Sequence, residues 1–340
     1  MVILKAVRLK DKGRLETDDI PVPDNLLPEQ VLIRIDLTGI CFRDVLTVEG
    51  YFPNTKFPVT LGHEITGRIV KVGDNVDNFS VGDRVASLIY EPCGKCEDCL
   101  NGRENLCRYK KTFGEELDGS YADYIVASEK SLVKVPQGVS AEAAAISACV
   151  TGMLIHAFNR ANTKEGENVL VTGAGGGVGI HAVQIAKALG CRVIAATSSA
   201  WKGEKIREYG ADEVIIYDKN FSQEVKRLTS GRGVDVVLES VGTPTLTDSI
   251  RSLSWGGRMV IVGNVNPAPA QLMLGHIILR ENSLIGSLSS TRKEVEQALK
   301  LSAEGKVKPV IHTILPLEQA SEGHKIMKEK GSLGRILLKP

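Results

Sequence analysis

Six of the seven cysteines fall into two patterns that limit what this chain can fold around. Cys93, Cys96, Cys99 and Cys107 offer four thiolates within one loop, the closed donor set of a structural zinc site. Cys41, His63 and Cys149 come from three distant segments, with Glu64 beside the histidine, and leave a coordination position open as a catalytic zinc does. A glycine-rich turn, Gly173 to Gly179, follows between an apolar strand and an alanine-rich helix. Two zinc sites of different character, upstream of a dinucleotide turn, point to metal-assisted hydride transfer.

The loop cluster reads Cys93-x2-Cys96-x2-Cys99-x7-Cys107, with Gly94 and Gly102 for the turns. Lys95, Arg103 and Arg108 are positioned in sequence to offset the charge of four thiolates. A surface loop of free thiols is the bland alternative, but exposed reactive thiols are a liability in a reducing compartment. A nucleic-acid zinc ribbon uses two separated Cys-x-x-Cys pairs and a basic, aromatic surface, and neither is present. In the open site Cys41 follows an apolar strand, His63 lies in Leu61-Gly62-His63-Glu64, and Cys149 closes an alanine-rich helical stretch. Each alone is explained equally well as a packed residue. Together, with water, substrate or Glu64 in the fourth position, they make a Lewis acid able to polarise a carbonyl. Asp44, three residues past Cys41, is a candidate acceptor for the His63 imidazole.

A chain of 340 residues exceeds one comfortable core, so two domains are expected. Residues 1–145 read as short strands punctuated by glycine and proline, a barrel-like catalytic domain. Residues 146–286 alternate strand and helix, the pattern of a Rossmann, doubly wound parallel sheet. Residues 287–340, with one amphipathic helix and a final strand Arg335 to Lys339, are expected to return to the first domain. The class is therefore α/β. With 42 basic and 41 acidic residues the net charge is +1, so no global field recruits nucleic acid or a membrane surface. Met1-Val2-Ile3-Leu4-Lys5 lacks a signal peptide's apolar core and reads as a first strand. An odd cysteine count with Cys-x-x-Cys spacing favours reduced, metal-bound thiols in the cytoplasm. Cys191 reads as a buried structural thiol, and Trp255, before Gly256-Gly257, as core or loop packing.

The dinucleotide turn takes the register Ala174-x-Gly176-x-x-Gly179, one substitution from the usual three glycines, with Gly177 and Val178 inside it. Glycine lets the backbone approach a pyrophosphate whose charge sits at the helix N-terminus. The second strand should end in an acid if it reads the ribose of NAD. It ends instead in Thr197-Ser198-Ser199, with Lys202 following. Hydroxyls and an ammonium suit a 2′-phosphate, so NADPH is expected over NADH, although Ser199 also fits a plain helix cap.

Gly62-His63-Glu64-x2-Gly67-x5-Gly73-x2-Val76 resembles the zinc signature of medium-chain alcohol dehydrogenase-like dehydrogenase/reductases, and the cysteine loop and glycine turn follow in that family's order. The resemblance spans essentially the whole chain. It implies a GroES-like catalytic domain with an inserted Rossmann domain, two zinc ions per chain, and homodimers or homotetramers. It makes Cys41, His63 and Cys149 catalytic zinc ligands, Glu64 an adjacent or exchanging one, and Arg335 a pyrophosphate-binding arginine. Two positions depart. Alcohol-oxidising members carry a hydroxyl relay two residues past the first zinc cysteine, where this chain has Arg43, and many carry Thr where it has Met153. A guanidinium cannot accept an alcohol proton. Glu116-Leu117-Asp118-Gly119, Cys149 to Met153, Gly242 to Thr245 and Gly263 to Pro267 look closest to archaeal-type acryloyl-CoA reductases, which reduce a conjugated C=C. The resemblance thus implies an NADPH-dependent enoyl-CoA reductase, with an alcohol dehydrogenase or aldehyde reductase as the alternative. Zinc, Arg43 or a backbone N–H could each polarise the thioester.

Overall fold

The computed structural model describes residues 3–340, so Met1 and Val2 of the expected first strand lie outside the described residues. Two compact units emerge. One runs to Gly152 and resumes at Ser289–Glu304 and Ile311–Pro340, and the other comprises Met153–Leu288 and Gly305–Val310. Residues 146–152, read from sequence as the start of the second domain, belong to the first unit.

The first unit is built on mainly antiparallel strands, the central ones buried along most of their length. Gln30–Gly39 is its spine, pairing with Glu64–Val72, Tyr124–Ser128 and Arg335–Lys339. Arg84–Ser87 and Leu132–Lys134 extend the sheet on one side, and Ile311–Pro316 lies beyond Arg335–Lys339 on the other. Ile33, Ile35, Ile65, Ile69, Val85 and Ile125 fill the core between these strands. The spine ends at Gly39 and Glu64 pairs directly with that residue, so the sheet itself brings Cys41 and His63 together. The tail departs from the sequence reading. It holds two helices, Arg292–Ala303 and Ala320–Lys328, and two strands, where one of each was expected.

In the second unit the central strands Asn168–Val171, Arg192–Thr197 and Val234–Glu239 are buried, mainly apolar runs, as a sheet covered on both faces requires. Six parallel strands occur in the spatial order Glu213–Ile216, Arg192–Thr197, Asn168–Val171, Val234–Glu239, Leu253–Ile261, Ser283–Gly286. Numbered along the chain this is 3-2-1-4-5-6, the doubly wound dinucleotide-binding order. The order reverses between Asn168–Val171 and Val234–Glu239, so a crevice opens beyond their carboxyl ends, where Thr172 and Ser240 sit. Trp255 does not pack as expected: within Leu253–Ile261 it is 76% exposed. Among the described residues no helix is long and apolar enough to cross a membrane.

Candidate active site and metal centres

Three local structures deliver the open donor set. Cys41 caps the helix Phe42–Val48, His63 precedes the strand Glu64–Val72, and Cys149 rides a π-helical turn, Ser147–Gly152. That turn follows the short helix Ala141–Ala145, whose N-terminus Ser140 caps by accepting from Ala143 N at 3.2 Å. The Cys149 sulfur lies 3.8 Å from that of Cys41 and 3.4 Å from His63 Nε2. Four donors at zinc bond lengths of ~2.0–2.3 Å in a tetrahedron stand about 3.3–3.8 Å apart. The measured edges therefore fit a zinc ion, and Glu64 belongs to the same group, with all donor atoms within 4.8 Å of one another.

The surroundings hold these donors in place. Asp44 Oδ1 lies 3.1 Å from His63 Nδ1, leaving Nε2 to face the sulfurs. Asp44 Oδ2 accepts from Cys41 N at 2.8 Å and from the Tyr121 hydroxyl at 2.9 Å. Burial works against the Asp44 charge, but the His63 imidazole outweighs it and holds the carboxyl below its ordinary value. Burial and the adjacent Asp44 keep Tyr121 a phenol, able to donate. Glu64 is fully buried and paired with Arg335, whose positive charge Glu64 stabilises against burial. Its second oxygen has no hydrogen-bond partner and points over Gly39, where an added Cβ would stand 1.8 Å away. Only glycine leaves room there, and an orphaned buried carboxylate oxygen suits a nearby cation.

Arg43 sits beside this set, not within it. Its Nε donates to Glu115 Oε1 at 2.6 Å and its guanidinium carbon lies 4.6 Å from the Phe52 ring centroid. Glu115 and Tyr121 carried no signal in the sequence, because no spacing links them to residues 41–44.

The loop cluster also closes on itself. Sulfur separations are 3.9 Å for Cys93–Cys99 and 3.5 Å for Cys96–Cys99, and Cys93 N approaches the Cys107 sulfur at 3.5 Å. Backbone N–H groups of Lys95 and Cys96 pull the Cys93 thiol down to about 6. Four soft donors wrapped this tightly fit one structural zinc. Arg103, expected to balance the thiolates, instead pairs with Asp98 at 2.9 Å.

In the second unit the turn from Thr172 to Val178 joins Asn168–Val171 to the helix Gly179–Ala188. A Cβ at Gly179 would come within 2.3 Å of Gly173 O and 2.6 Å of Ala174 Cα, so this glycine permits the close return of helix on turn. Thr197 Oγ1 accepts from Ser199 N at 3.2 Å, Ser198 is exposed, and Lys202 is 5% exposed with its stem against Gly175. The second strand therefore ends beside the glycine turn, with the lysine reaching it. Missing from the sequence reading was Glu239, buried at the end of its strand. It accepts from Thr172 Oγ1 (2.8 Å), Val241 N (2.8 Å), Gly242 N (2.9 Å), Thr245 Oγ1 (2.8 Å) and Ser249 Oγ (2.5 Å), tying the two sides of the crevice together.

Comparison with known proteins agrees with this architecture. Residues 27–137 match the alcohol dehydrogenase GroES-like domain and residues 177–304 match the zinc-binding dehydrogenase domain. Acryloyl-coenzyme A reductase of Sulfurisphaera tokodaii is 47% identical over 333 residues, covering 97% of each chain. Acryloyl-coenzyme A reductase of Metallosphaera sedula is 46% identical over 337 residues, covering 98% of this chain and 99% of its own. The crystal structure of AibC superposes with a TM-score of 0.93 at 38% identity, covering 99% of this chain and 96% of that one.

Proposed function

The chain belongs to the zinc-binding dehydrogenases with an alcohol dehydrogenase GroES-like domain, an oxidoreductase family that takes zinc and NAD(P), and on that premise we propose that it reduces the conjugated C=C of an enoyl-CoA thioester such as acryloyl-CoA, with NADPH. The observation that carries this reading is Arg43. Where an alcohol dehydrogenase needs a hydroxyl to pass on the alcohol proton, this chain holds a guanidinium tied to Glu115. A permanent cation cannot relay a proton, but it can donate to an oxygen that gains negative charge.

Cys41, His63 and Cys149 would hold the catalytic zinc with Glu64 alongside, and Cys93, Cys96, Cys99 and Cys107 a second, structural ion. When bound, the nicotinamide supplies a hydride for the β-carbon and zinc supplies a Lewis acid, a solvent proton completing the saturated acyl group. Asp44 keeps the His63 proton on Nδ1, and Tyr121 together with Cys41 N keeps Asp44 in place. Arg43 donates toward the thioester oxygen. Gly176, Gly177, Val178 and Gly179 cradle the coenzyme pyrophosphate. Lys202, Thr197, Ser198 and Ser199 favour a 2′-phosphate over the bare hydroxyl. Family membership supports a homodimer or homotetramer, and thiols free of disulfides suit the cytoplasm.

The test is NADPH oxidation against enoyl-CoAs, aldehydes, ketones and quinones, with the wild type and Arg43→Ser. The wild type is expected to prefer acryloyl-CoA, and the variant to lose ~10²–10³ in turnover, as for a lost electrostatic stabiliser. A variant that gains alcohol oxidation and keeps enoyl-CoA reduction would instead identify an alcohol dehydrogenase with a missing relay.

A further inference from the structure

A buried carboxylate beside the open donor set has no part in the mechanism so far. Glu115 follows the strand Lys111–Thr112, its side chain is 8% exposed, and its one side-chain partner among the described residues is Arg43. The backbone of the same residue is secured independently. Glu115 N donates to Thr112 O at 3.4 Å, and Glu115 O accepts from Lys56 N at 3.0 Å. The loop therefore does not need the carboxylate for its shape.

A guanidinium carries five N–H donors in a planar fork. In Arg43 the Nε–H is committed to Glu115 and one face is stacked on Phe52. Among the described residues nothing accepts from its two Nη groups, and the side chain is 27% exposed. Two restraints, a hydrogen bond at Nε and a ring against the face, fix both the direction and the plane of the fork. Arg43 stands in the first turn of the helix Phe42–Val48 that Cys41 caps, so the fork is carried by the same element that delivers one donor of the open set.

We infer that Glu115 is the positioning residue for acyl-thioester recognition: it anchors Nε so that the Nη groups of Arg43 point at the thioester carbonyl oxygen. The inference rests on the enoyl-thioester reading. The ion pair is neutral as a unit, so selectivity lies in the aim of the fork more than in net charge. A planar carbonyl that becomes an enolate gains from two in-plane donors as negative charge builds on it. An alcohol must surrender a proton instead, which the fork cannot accept. Arg43 keeps all its protons throughout.

The experiment compares Glu115→Ala and Glu115→Gln with the zinc-loaded wild type, using acryloyl-CoA for turnover. It also records the carbonyl stretch of bound propionyl-CoA labelled with ¹³C at C1. Glutamine retains an oxygen acceptor for Nε and should stay within about 5-fold of wild-type kcat. Alanine frees the fork, and a misplacement of about 1 Å at a reacting group costs ~10²-fold. That loss should fall in kcat with KM little changed, and the bound carbonyl stretch should move toward its value in free thioester. If Glu115→Ala does not fold, Glu115→Asp serves: withdrawing the anchor by one methylene should cut kcat and move the carbonyl stretch while the melting temperature holds. The inference is overturned if kcat and the stretch are unchanged in the folded alanine or aspartate variant. It is equally overturned if glutamine loses as much activity as alanine in step with melting temperature, since that is a purely structural role. Failure of the wild type to reduce acryloyl-CoA overturns the enoyl-thioester reading. Normal wild-type turnover with an indifferent Glu115 overturns this inference alone.

Discussion

Replacing Arg335 by Met removes the partner of a carboxylate that has no exposure at all. Glu64 keeps one oxygen without a donor even in the intact protein, so the guanidinium is the side-chain cation that answers its charge. Breaking a buried pair from one side costs ~3–5 kcal/mol, because the remaining charge stays desolvated. For a unit of this size each kcal/mol moves the melting temperature by about 2–4 °C, so Arg335→Met should melt roughly 6–20 °C lower. Removing both charges in Glu64→Gln/Arg335→Met should recover most of that loss, since no buried ion is left. Differential scanning calorimetry of both variants, with NADPH titrations alongside, separates this role from the pyrophosphate contact that the sequence resemblance implies. Weakened NADPH binding at an unchanged melting temperature in the single variant would refute the stability reasoning and return Arg335 to the coenzyme.

Three further outcomes are expected. Cys96→Ser should release the structural zinc and lower the melting temperature, with turnover per folded molecule preserved. Zinc content by atomic absorption and calorimetry check it, and a fully stable zinc-depleted protein would contradict it. Lys202→Ala should weaken NADPH roughly 10- to 150-fold through loss of a charge-assisted contact while NADH is spared, and equal weakening of both in fluorescence titrations would place Lys202 elsewhere. Asp212 accepts from Val193 N at 2.7 Å and from Lys187 Nζ at 2.9 Å, which outweigh burial and hold its carboxyl below the ordinary 3.8. A depressed folded value stabilises above the unfolded one and is lost as pH falls below it. Asp212→Asn should therefore cost on the order of 1 kcal/mol at neutral pH, with the gap to wild type in urea melts closing below about pH 4.

The parts of this molecule that could be read from sequence are those where chemistry restricts residue type. A thiolate cluster at Cys93–Cys107 or a glycine at position 179 has few alternative explanations, so both donor clusters and the tight glycine turn were visible. The central strands of the second unit were visible because burial on both faces forces apolar runs such as Asn168–Val171. Ile311–Pro316 and Ala320–Lys328 were missed for the opposite reason. The strand is only half buried, with Thr313 facing in and Ile314 facing out, so its residue types do not alternate cleanly, and the helix carries Gly323 in its interior. Trp255 was assigned to packing on size alone, which says nothing of the face it takes. Glu115, Tyr121 and Glu239 act through partners 72, 77 and 67 residues away, and a single sequence carries no trace of such pairings.

The separation between Glu64 and Arg335 is larger still, at 271 residues, and it imposes an order in time. A ribosome adding ~5–20 residues per second leaves tens of seconds between the two. Throughout that interval the Thr38–Gly39 end of the spine, which will receive Leu338 and Leu337, stays open, a short stretch available for strand pairing with other nascent chains. The contiguous stretch Met153–Leu288 meanwhile emerges, with only Gly305–Val310 of the second unit still to follow. Cys149 is available well before Arg335, so the open donor set can gather, and capture metal, around a carboxylate that still lacks its cation. For the growing chain, metal bound at that stage would stabilise the first unit before its last strand arrives.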